Sequence, residues 1–286
     1  MTTFSPLNSL TRRDTLAVAG GALISSSVGS SAHAAEGLNL SIRDDLLTAL
    51  AKMRGRTDGG ISMSWIIGTR YAVVENLATP MWGILAGTFS RYRKISDVTY
   101  EVRSIEVAYF TDLETGQLLE TWTNPFTDQE IDVPRIRMGP ATIIMTADGL
   151  DIPNPVGEAA GMFIKHRFRP AVTVGDDVWI TEEIQVDGPP LAPNTPKFAY
   201  NEMTTYHSTL TELADPDAAS VATSVQYHSL VSWRPWMGFG DMAGHTTARG
   251  SGKHINRIED FPKYYLELTE RYNDDVLNDP ETVLNG

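Results

Sequence analysis

The sequence predicts a mainly β protein in which an antiparallel meander closes into a barrel, with one helix before the sheet and one after it. From residue 60 onward, short segments rich in Val, Ile, Thr, Tyr and Trp are separated by Gly, Pro, Asn and Asp. Apolar and polar residues alternate within these segments, as in strands that bury one face. A helical spacing of apolar residues is found near both ends of the mature chain.

The first 35 residues have the features of a twin-arginine secretion signal. Arg12 and Arg13 precede a short, weakly apolar run, and residues 32–34 form a small-x-small cleavage pattern. The run is too short and too rich in Gly and Ser to span a bilayer of about 30 Å. We therefore expect a periplasmic protein with no integral membrane segment after cleavage and a single β-barrel domain over residues 36–286. The alternative is a tail with a chance arginine pair.

The mature chain is expected to begin with a helix over residues 38–54. Leu50 and Met53 belong to a set of apolar residues that recurs at three- and four-residue spacing. Ser41 is the expected N-cap, and Gly55 is expected to end the helix.

The clearest strand pattern follows in the first half of the domain. Residues 105–109 alternate, residues 112–116 form a turn and residues 118–122 read as the return strand. A second turn at residues 124–128 leads into a third strand at residues 130–136. This order predicts a three-stranded meander.

The second half repeats the pattern and ends in a helix over residues 259–272. Strands at this cadence suggest a calycin-like or similar barrel, whose closure removes exposed sheet edges. The expected strands lie at residues 161–169, 178–186, 198–210 and 222–233.

Composition excludes several classes of function. The chain has 286 residues, of which 36 are acidic and 23 basic, so its formal net charge is -13. This charge disfavours nucleic acids and anionic membranes as partners, since both need a basic surface. The chain has no cysteine. Disulfides, zinc ribbons, iron–sulfur clusters and thiolate catalysis are therefore excluded.

Histidines and tyrosines in the predicted strands are candidate catalytic residues. His166 lies on the apolar, and hence inward, face of its strand. In the neighbouring pairs Tyr206-His207 and Tyr227-His228, one member of each pair must face inward, because side chains alternate along a strand. Imidazole is the natural acid–base group near neutral pH. The alternative for each residue is a structural role.

Glu182 is the remaining catalytic candidate. It shares a strand face with the Val and Ile residues at positions 178, 180, 184 and 186. Burial among them would raise its pKa unless a cation pairs with it. Arg167 and Arg169 are the expected cations if their strand forms a hairpin with that of Glu182. The alternative is an edge strand in which Glu182 and Glu183 are both solvated.

The stretch from residue 227 to 254 is dense in aromatic, glycine and basic residues, and it supplies the candidate ligand-binding residues. An arginine beside aromatic rings can stack on a ligand or bind its carboxylate, and glycines allow close backbone approach. In the alternative interpretation, the tryptophans plug a barrel end and the arginine binds backbone carbonyls. The candidates are Trp233, Arg234, Trp236, His245 and Arg249.

No cofactor and no metal are assigned. The glycine-rich stretch lacks the spacing of the dinucleotide and phosphate-loop motifs, and the histidines form neither H-x-H nor H-E-x-x-H. The serine nucleophile motif G-x-S-x-G is also absent.

Three stretches resemble the bacterial family called domain of unknown function 1838. They are the turns Thr115-Gly116 and Asn124-Pro125-Phe126-Thr127, the stretch from Trp233 to Gly238, and Gly252-Lys253-His254-Ile255 before Asp260-Phe261-Pro262. The resemblance covers nearly the whole mature chain. It implies no catalytic residues, because none are established for the family.

The leading functional hypothesis is an exported, cofactor-independent enzyme of lyase, decarboxylase or isomerase type. It would perform acid–base chemistry inside the barrel on a small apolar molecule, aromatic or carboxylated. The alternative is a periplasmic small-molecule binding or carrier protein with the same pocket and no aligned proton-transfer group. A third hypothesis is a structural or partner-binding envelope protein with no roomy interior.

Overall fold

The computed structural model describes residues 38–153, 161–193 and 195–285. The expected signal peptide lies outside the described residues. The helices are α1 (Arg43–Arg54), α2 (Leu210–Ala214), α3 (Lys263–Tyr272), α4 (Asp274–Asn278) and α5 (Pro280–Asn285). The strands are β1 (Ile61–Val74), β2 (Leu77–Ser96), β3 (Thr99–Thr111), β4 (Thr121–Thr123), β5 (Glu130–Asp132), β6 (Ile136–Thr146), β7 (Gly149–Asp151), β8 (Phe163–Phe168), β9 (Val172–Val174), β10 (Asp177–Pro190), β11 (Lys197–Thr209), β12 (Ser224–Val231) and β13 (His245–Ile255).

The predicted barrel is confirmed. Ten antiparallel strands follow one another in the order β7-β6-β3-β2-β1-β13-β12-β11-β10-β8, and β9 pairs with β10 beside this path. The first and last strands of this path meet at a seam, where the backbone N–H of Leu150 donates a hydrogen bond to Nδ1 of His166 at 2.8 Å. The sheet is therefore a nearly closed barrel, with one seam between β7 and β8.

Alternation along the strands separates an outer face from an inner face. In β3, Val107 and Tyr109 pack outward in a buried cluster with Tyr265 of α3 and Val276 of α4. Glu106, between Val107 and Ile105, therefore points into the barrel. The C-terminal helices thus cover one outer wall, and the even-numbered side chains of β3 line the interior.

Both ends of the barrel are closed by side chains. At one end, Leu50 and Met53 of α1 are fully buried in a cluster with inward residues such as Val178. At the other end, the Trp82 ring lies 4.9 Å from that of Trp122 and 5.5 Å from that of Trp236, between ring centroids. Helix α1 therefore acts as a plug at one end, and aromatic rings fill the other.

The helix predictions are confirmed, with shorter bounds than expected. Helix α1 begins at Arg43, and its N-cap residue is Ile42. Ser41 is not the N-cap, because its hydroxyl donates to Oδ1 of Asn39. The C-terminal helix α3 begins after Pro262, which separates it from a short 3-10 turn.

The predicted meander is wrong after β3. Residues 118–122 do not return alongside β3, where Leu118 makes only an isolated bridge to Thr111. Strands β4 and β5 instead form a separate two-stranded sheet. Trp122 of β4 packs on Trp82 at the barrel end, and this contact holds the hairpin of β4 and β5 there. Strand β6 takes the place beside β3.

The glycine-rich stretch is a barrel strand. Strand β13 lies between β1 and β12, and its glycines face the backbone of β1. A Cβ atom on Gly252 would lie 1.7 Å from the carbonyl oxygen of Trp65. These glycines therefore serve the close approach of two strands. Among the described residues, no helix has the length and apolarity to cross a membrane.

Candidate functional site

Ionisable side chains gather on the inner face of the barrel. The strand register places them on the same face as the apolar residues that pack against α1 or the aromatic end. They come from α1, β1, β3, β8, β10, β11 and β12. The set comprises Arg54, Arg70, Glu106, His166, Glu182, Tyr200, Glu202, Tyr206 and Tyr227.

Glu182 lies at the centre of the first group, and its side chain is 1% exposed. Its Oε1 is 3.2 Å from Nη2 of Arg54, the last residue of α1. The hydroxyl of Tyr206 donates to Oε2 at 2.7 Å and accepts from Nε of Arg54 at 3.1 Å. The three side chains therefore form a closed set of hydrogen bonds at the α1 end of the barrel.

His166 joins this group with both of its ring nitrogens engaged. Its Nε2 lies 2.6 Å from Oε1 of Glu182, and its Nδ1 accepts the N–H of Leu150. A backbone N–H can only donate, so Nδ1 carries no proton. The proton is therefore on Nε2, and the neutral ring bridges Glu182 to the barrel seam.

The charge of Glu182 is fixed by these partners. Burial raises the pKa of the carboxyl, but the charge of Arg54 and the hydrogen bonds from His166 and Tyr206 outweigh it and lower the pKa to about 2. The expected cation partners were Arg167 and Arg169, and this expectation is wrong. Both bind Glu183 on the outer face, with their Nε atoms 2.6 and 2.7 Å from its carboxylate oxygens.

A second group surrounds Glu202 of β11. Its carboxylate accepts hydrogen bonds from the hydroxyl of Tyr200 and, at 2.7 Å, from that of Thr204. Burial and the charge of Glu182 raise its pKa. Burial and the charge of Glu202 in turn raise the pKa of Tyr227, whose hydroxyl is therefore protonated at neutral pH.

Glu106 differs from the other inward carboxyls. It makes no side-chain hydrogen bond or ion pair with any of the described residues, whereas Glu182 and Glu202 are each held by two or more donors. Burial and the charge of Glu202 raise its pKa to about 7, against the opposing charge of Arg70. The residue is half-buried. Glu106 can therefore take up or release a proton near neutral pH.

Arg70 of β1 is the second inward arginine. Its Nη1 donates to the hydroxyl of Thr246 at 2.8 Å. Its Nε is buried and has no acceptor among the described residues. Within that part of the chain no carboxylate lies within ion-pair distance of the guanidinium, although its charge acts on Glu106 and Tyr227.

Four of the six candidate catalytic residues face the interior, and two do not. His166, Glu182 and Tyr206 are in direct contact, and Tyr227 lies farther along the inner face. His207 and His228 occupy the outer face by register. The ring of His207 stacks on Trp179 at 4.8 Å between centroids, and its Nε2 lies 2.7 Å from Oδ1 of Asp177.

The five candidate ligand-binding residues do not join the inner group. Trp236 belongs to the aromatic end of the barrel, and Trp233 stacks there on Phe239 at 3.8 Å. Arg234 lies over the ring of Phe198, with its Cζ 4.6 Å from the ring centroid. His245 and Arg249 alternate with inward residues of β13 and face outward. Their binding roles stay predictions.

Five residues of the inward group are not among the candidates drawn from the sequence: Arg54, Arg70, Glu106, Tyr200 and Glu202. Glu106 lies between Ile105 and Val107, so alternation alone would assign it to the solvent-facing side of the strand. It points inward because α3 and α4 cover the opposite, apolar face. Arg70 shares its face of β1 with Gly68 and Ala72, whereas most large apolar residues of this strand lie on the other face, so alternation gives no inward signal for it. Arg54 gave no local signal, because a helix end reaches the interior only through tertiary packing.

No group of three or more His, Asp or Glu side chains in the described ranges could hold a metal ion. A search of curated proteins found no match. The family described as "Protein of unknown function (DUF1838)" matches residues 61–274, which span all the barrel strands. This match covers well over half of the chain. The protein therefore belongs to the DUF1838 family.

Proposed function

We propose that the protein is a cofactor-independent enzyme that performs acid–base chemistry on a small, largely apolar molecule inside the barrel. Glu106 is the proposed proton-transfer group. The observation that carries the proposal is an inward carboxyl with a pKa of about 7 and no hydrogen-bond partner among the described residues. A group of this kind is available to a substrate, because binding it breaks no existing bond.

The surroundings of Glu106 support access by an apolar ligand. Its direct cross-strand neighbour on β6 is Met138, a residue that is 52% exposed. Other inward apolar residues, including Ile184 and Val186 of β10, are half-buried rather than fully buried. A core packed solid would enclose all of them. We propose that the pocket lies between the two closed ends of the barrel.

We propose a supporting role for the first group, Arg54, His166, Glu182 and Tyr206. His166 has no free lone pair, and Glu182 is held as an anion by Arg54, Tyr206 and His166 itself. Proton transfer by either residue would break contacts that join α1 and the seam to the barrel wall. We therefore propose that His166 and Glu182 hold the site in shape and do not transfer protons.

Proton transfer by Glu106 requires little else from the chain. Near neutral pH both forms of the carboxyl are populated, so the residue can remove a proton from carbon or return one. The neutral hydroxyl of Tyr227 can donate to an oxygen that becomes negative during the reaction. These parts suit an isomerase, a lyase or a decarboxylase.

The test uses proton NMR in D₂O with a panel of small carboxylic acids and ketones that carry an acidic C–H or a conjugated double bond. Conversion or deuterium incorporation by the wild-type protein should fall by about 10²- to 10⁴-fold in Glu106→Gln. The matched control is Glu183→Gln, on the outer face. Full conversion by Glu106→Gln contradicts the proposal, and binding without conversion by the wild type favours the carrier alternative.

We also propose export to the periplasm by the twin-arginine route. The support is the order of features in the first 35 residues: the pair Arg12-Arg13, a short apolar run and the small-x-small pattern at residues 32–34.

A further inference from the structure

Arg54 and Arg70, the two inward arginines among the described residues of the barrel, have unequal partners. Arg54 has a carboxylate partner, Glu182, and a hydroxyl partner, Tyr206. Arg70 has only the neutral hydroxyl of Thr246. The chain thus compensates one interior cation fully and leaves the other without a counter-charge among the described residues.

An uncompensated cation in a barrel interior is costly, because its desolvation is repaid by no ion pair. Arg70 has a buried Nε without an acceptor, and its Nη2 makes no hydrogen bond to a described residue. The carboxyl that its charge reaches, Glu106, offers little compensation, because burial raises its pKa to about 7 and it is partly protonated near neutral pH.

The wall between Arg70 and Glu106 is lined by small side chains. Ala86 of β2 and Ala108 of β3 form a directly opposed inward pair on this wall. An apolar ligand body that lay against these two methyl groups would have its polar end at the guanidinium of Arg70.

We propose that Arg70 binds the carboxylate of the ligand, so that the site takes small monocarboxylates with an apolar body. The proposal rests on the proposed function for the place of the site and deepens it by naming the ligand class. A guanidinium with unpaired N–H groups matches a carboxylate, which can accept two parallel hydrogen bonds.

The bound carboxylate also changes the protonation of Glu106. Without ligand, the charge of Arg70 opposes the rise in the pKa of Glu106. A carboxylate on Arg70 cancels that charge and adds a negative one near Glu106, and both effects raise the pKa further. Ligand binding therefore takes up protons near neutral pH and leaves Glu106 in its proton-donating form.

The binding test is isothermal titration calorimetry with benzoate and hexanoate, each paired with its neutral amide. The carboxylates should bind at least about tenfold more tightly than the amides, and Arg70→Gln should remove this preference. Arg70→Lys should keep part of it, which separates loss of charge from loss of fold. Arg93→Gln, on the outer face, is the matched control and should leave binding unchanged.

Three results overturn the inference. They are equal affinity for acid and amide in the wild type, unchanged acid preference in a folded Arg70→Gln variant, and failure of both acids to bind at millimolar concentration. Titration in two buffers of different ionisation enthalpy at pH 7.5 should show proton uptake in the wild type and none in Glu106→Gln. Absence of uptake in the wild type overturns the coupling to Glu106.

Failure of this inference is distinguishable from failure of the proposed function. If Glu106→Gln abolishes conversion while Arg70→Gln keeps the acid preference, the function stands and the ligand class is wrong. If Arg70 governs the acid preference while Glu106→Gln converts substrate normally, the ligand class stands and the proton-transfer role is wrong.

Discussion

Arg54 and Glu182 form an ion pair between the last residue of the plug helix α1 and the middle of strand β10, with 3.2 Å between Nη2 and Oε1. The side chains are 16% and 1% exposed. Burial lowers and the charge of Glu182 raises the pKa of Arg54, and the net result is a pKa well above its ordinary value. The charged pair therefore ties the plug to the wall, and withdrawal of α1 would leave a buried anion without its cation.

Replacing Arg54 with Met should destabilise the protein by about 3–5 kcal/mol, because it leaves Glu182 charged and unpaired in the interior. Urea denaturation at pH 7 measures the loss. The double variant Arg54→Met/Glu182→Met should recover part of it, since no unpaired charge remains. The control is Arg93→Met, which breaks an exposed pair with Glu101 and should shift the midpoint little. An unfolding midpoint for Arg54→Met equal to that of the wild type would contradict the assignment.

Glu106 should lower the stability of the protein at high pH. Its folded pKa is about 7 against a reference of 4.5, so the native state binds more protons than the unfolded state between these values. The free energy of unfolding therefore falls by about 3 kcal/mol in total as the pH rises from 4.5 to 7, and it is constant at higher pH.

Glu106→Gln removes this dependence, so the variant should be more stable than the wild type at pH 8 and equal to it at pH 4. Urea denaturation across this range tests it. Glu183→Gln is the contrasting control, because its two arginine partners lower the pKa of Glu183 and its replacement should give no gain at pH 8. A Glu106→Gln variant less stable than the wild type at pH 8 argues against the raised pKa.

His166 should hold the barrel seam closed through Leu150. In His166→Phe the ring volume is kept, but the N–H of Leu150 loses its acceptor. Hydrogen–deuterium exchange of β7 should then be faster by roughly tenfold or more, since this hydrogen bond joins β7 to β8. The outer part of β3, which is covered by α3, should exchange as in the wild type. Unchanged exchange in β7 would show that the seam is closed by other contacts.

Gly252→Ala should prevent correct pairing of β13 with β1. The added Cβ would lie 1.7 Å from the backbone oxygen of Trp65, so the strands must separate, at a cost of at least about 3 kcal/mol. Gly116→Ala is the control, because its Cβ meets nothing within 4 Å and only the positive φ of 70° opposes it. That strain amounts to about 1–2 kcal/mol. Equal thermal unfolding temperatures for the two variants would contradict this explanation.

Export should depend on the arginine pair in the leader. With both Arg12 and Arg13 changed to Lys, the precursor should accumulate in the cytoplasm, whereas the wild-type protein should be recovered from the periplasm with a mature start near residue 35. Cell fractionation measures the compartment of the protein, and intact-mass measurement gives the residue at which the mature chain begins. The comparison strain lacks the twin-arginine translocase and should retain the wild-type protein in the cytoplasm. Normal processing of the lysine variant would rule out the proposed route.

The strands of the second half could be predicted from sequence because alternation reports which face is buried. The same pattern correctly placed His166 and Glu182 on the inward face of their strands. The strand predicted at residues 178–186 lies within β10. The partner of Glu182 could not be predicted. Arg54 lies 128 positions away and meets it only because α1 docks against the barrel end.

The hairpin of β4 and β5 shows a second limit. Its turn chemistry correctly indicates paired strands, but turns do not say which sheet a pair joins. That choice depends on Trp122, which packs against Trp82 at the barrel end. Likewise the glycines of β13 suggested room for a ligand, whereas their neighbour is the backbone of β1.

The pairing of β1 with β13 has a consequence for biosynthesis. Met63 of β1 lies opposite Ile255, so the first strand of the barrel must wait for nearly two hundred intervening residues to leave the ribosome before it gains this neighbour. Until then β1 has β2 on one side and a row of unsatisfied backbone groups on the other. The sheet therefore stays open at β1 until β13 has emerged, so closure of the barrel is a late step of folding during synthesis.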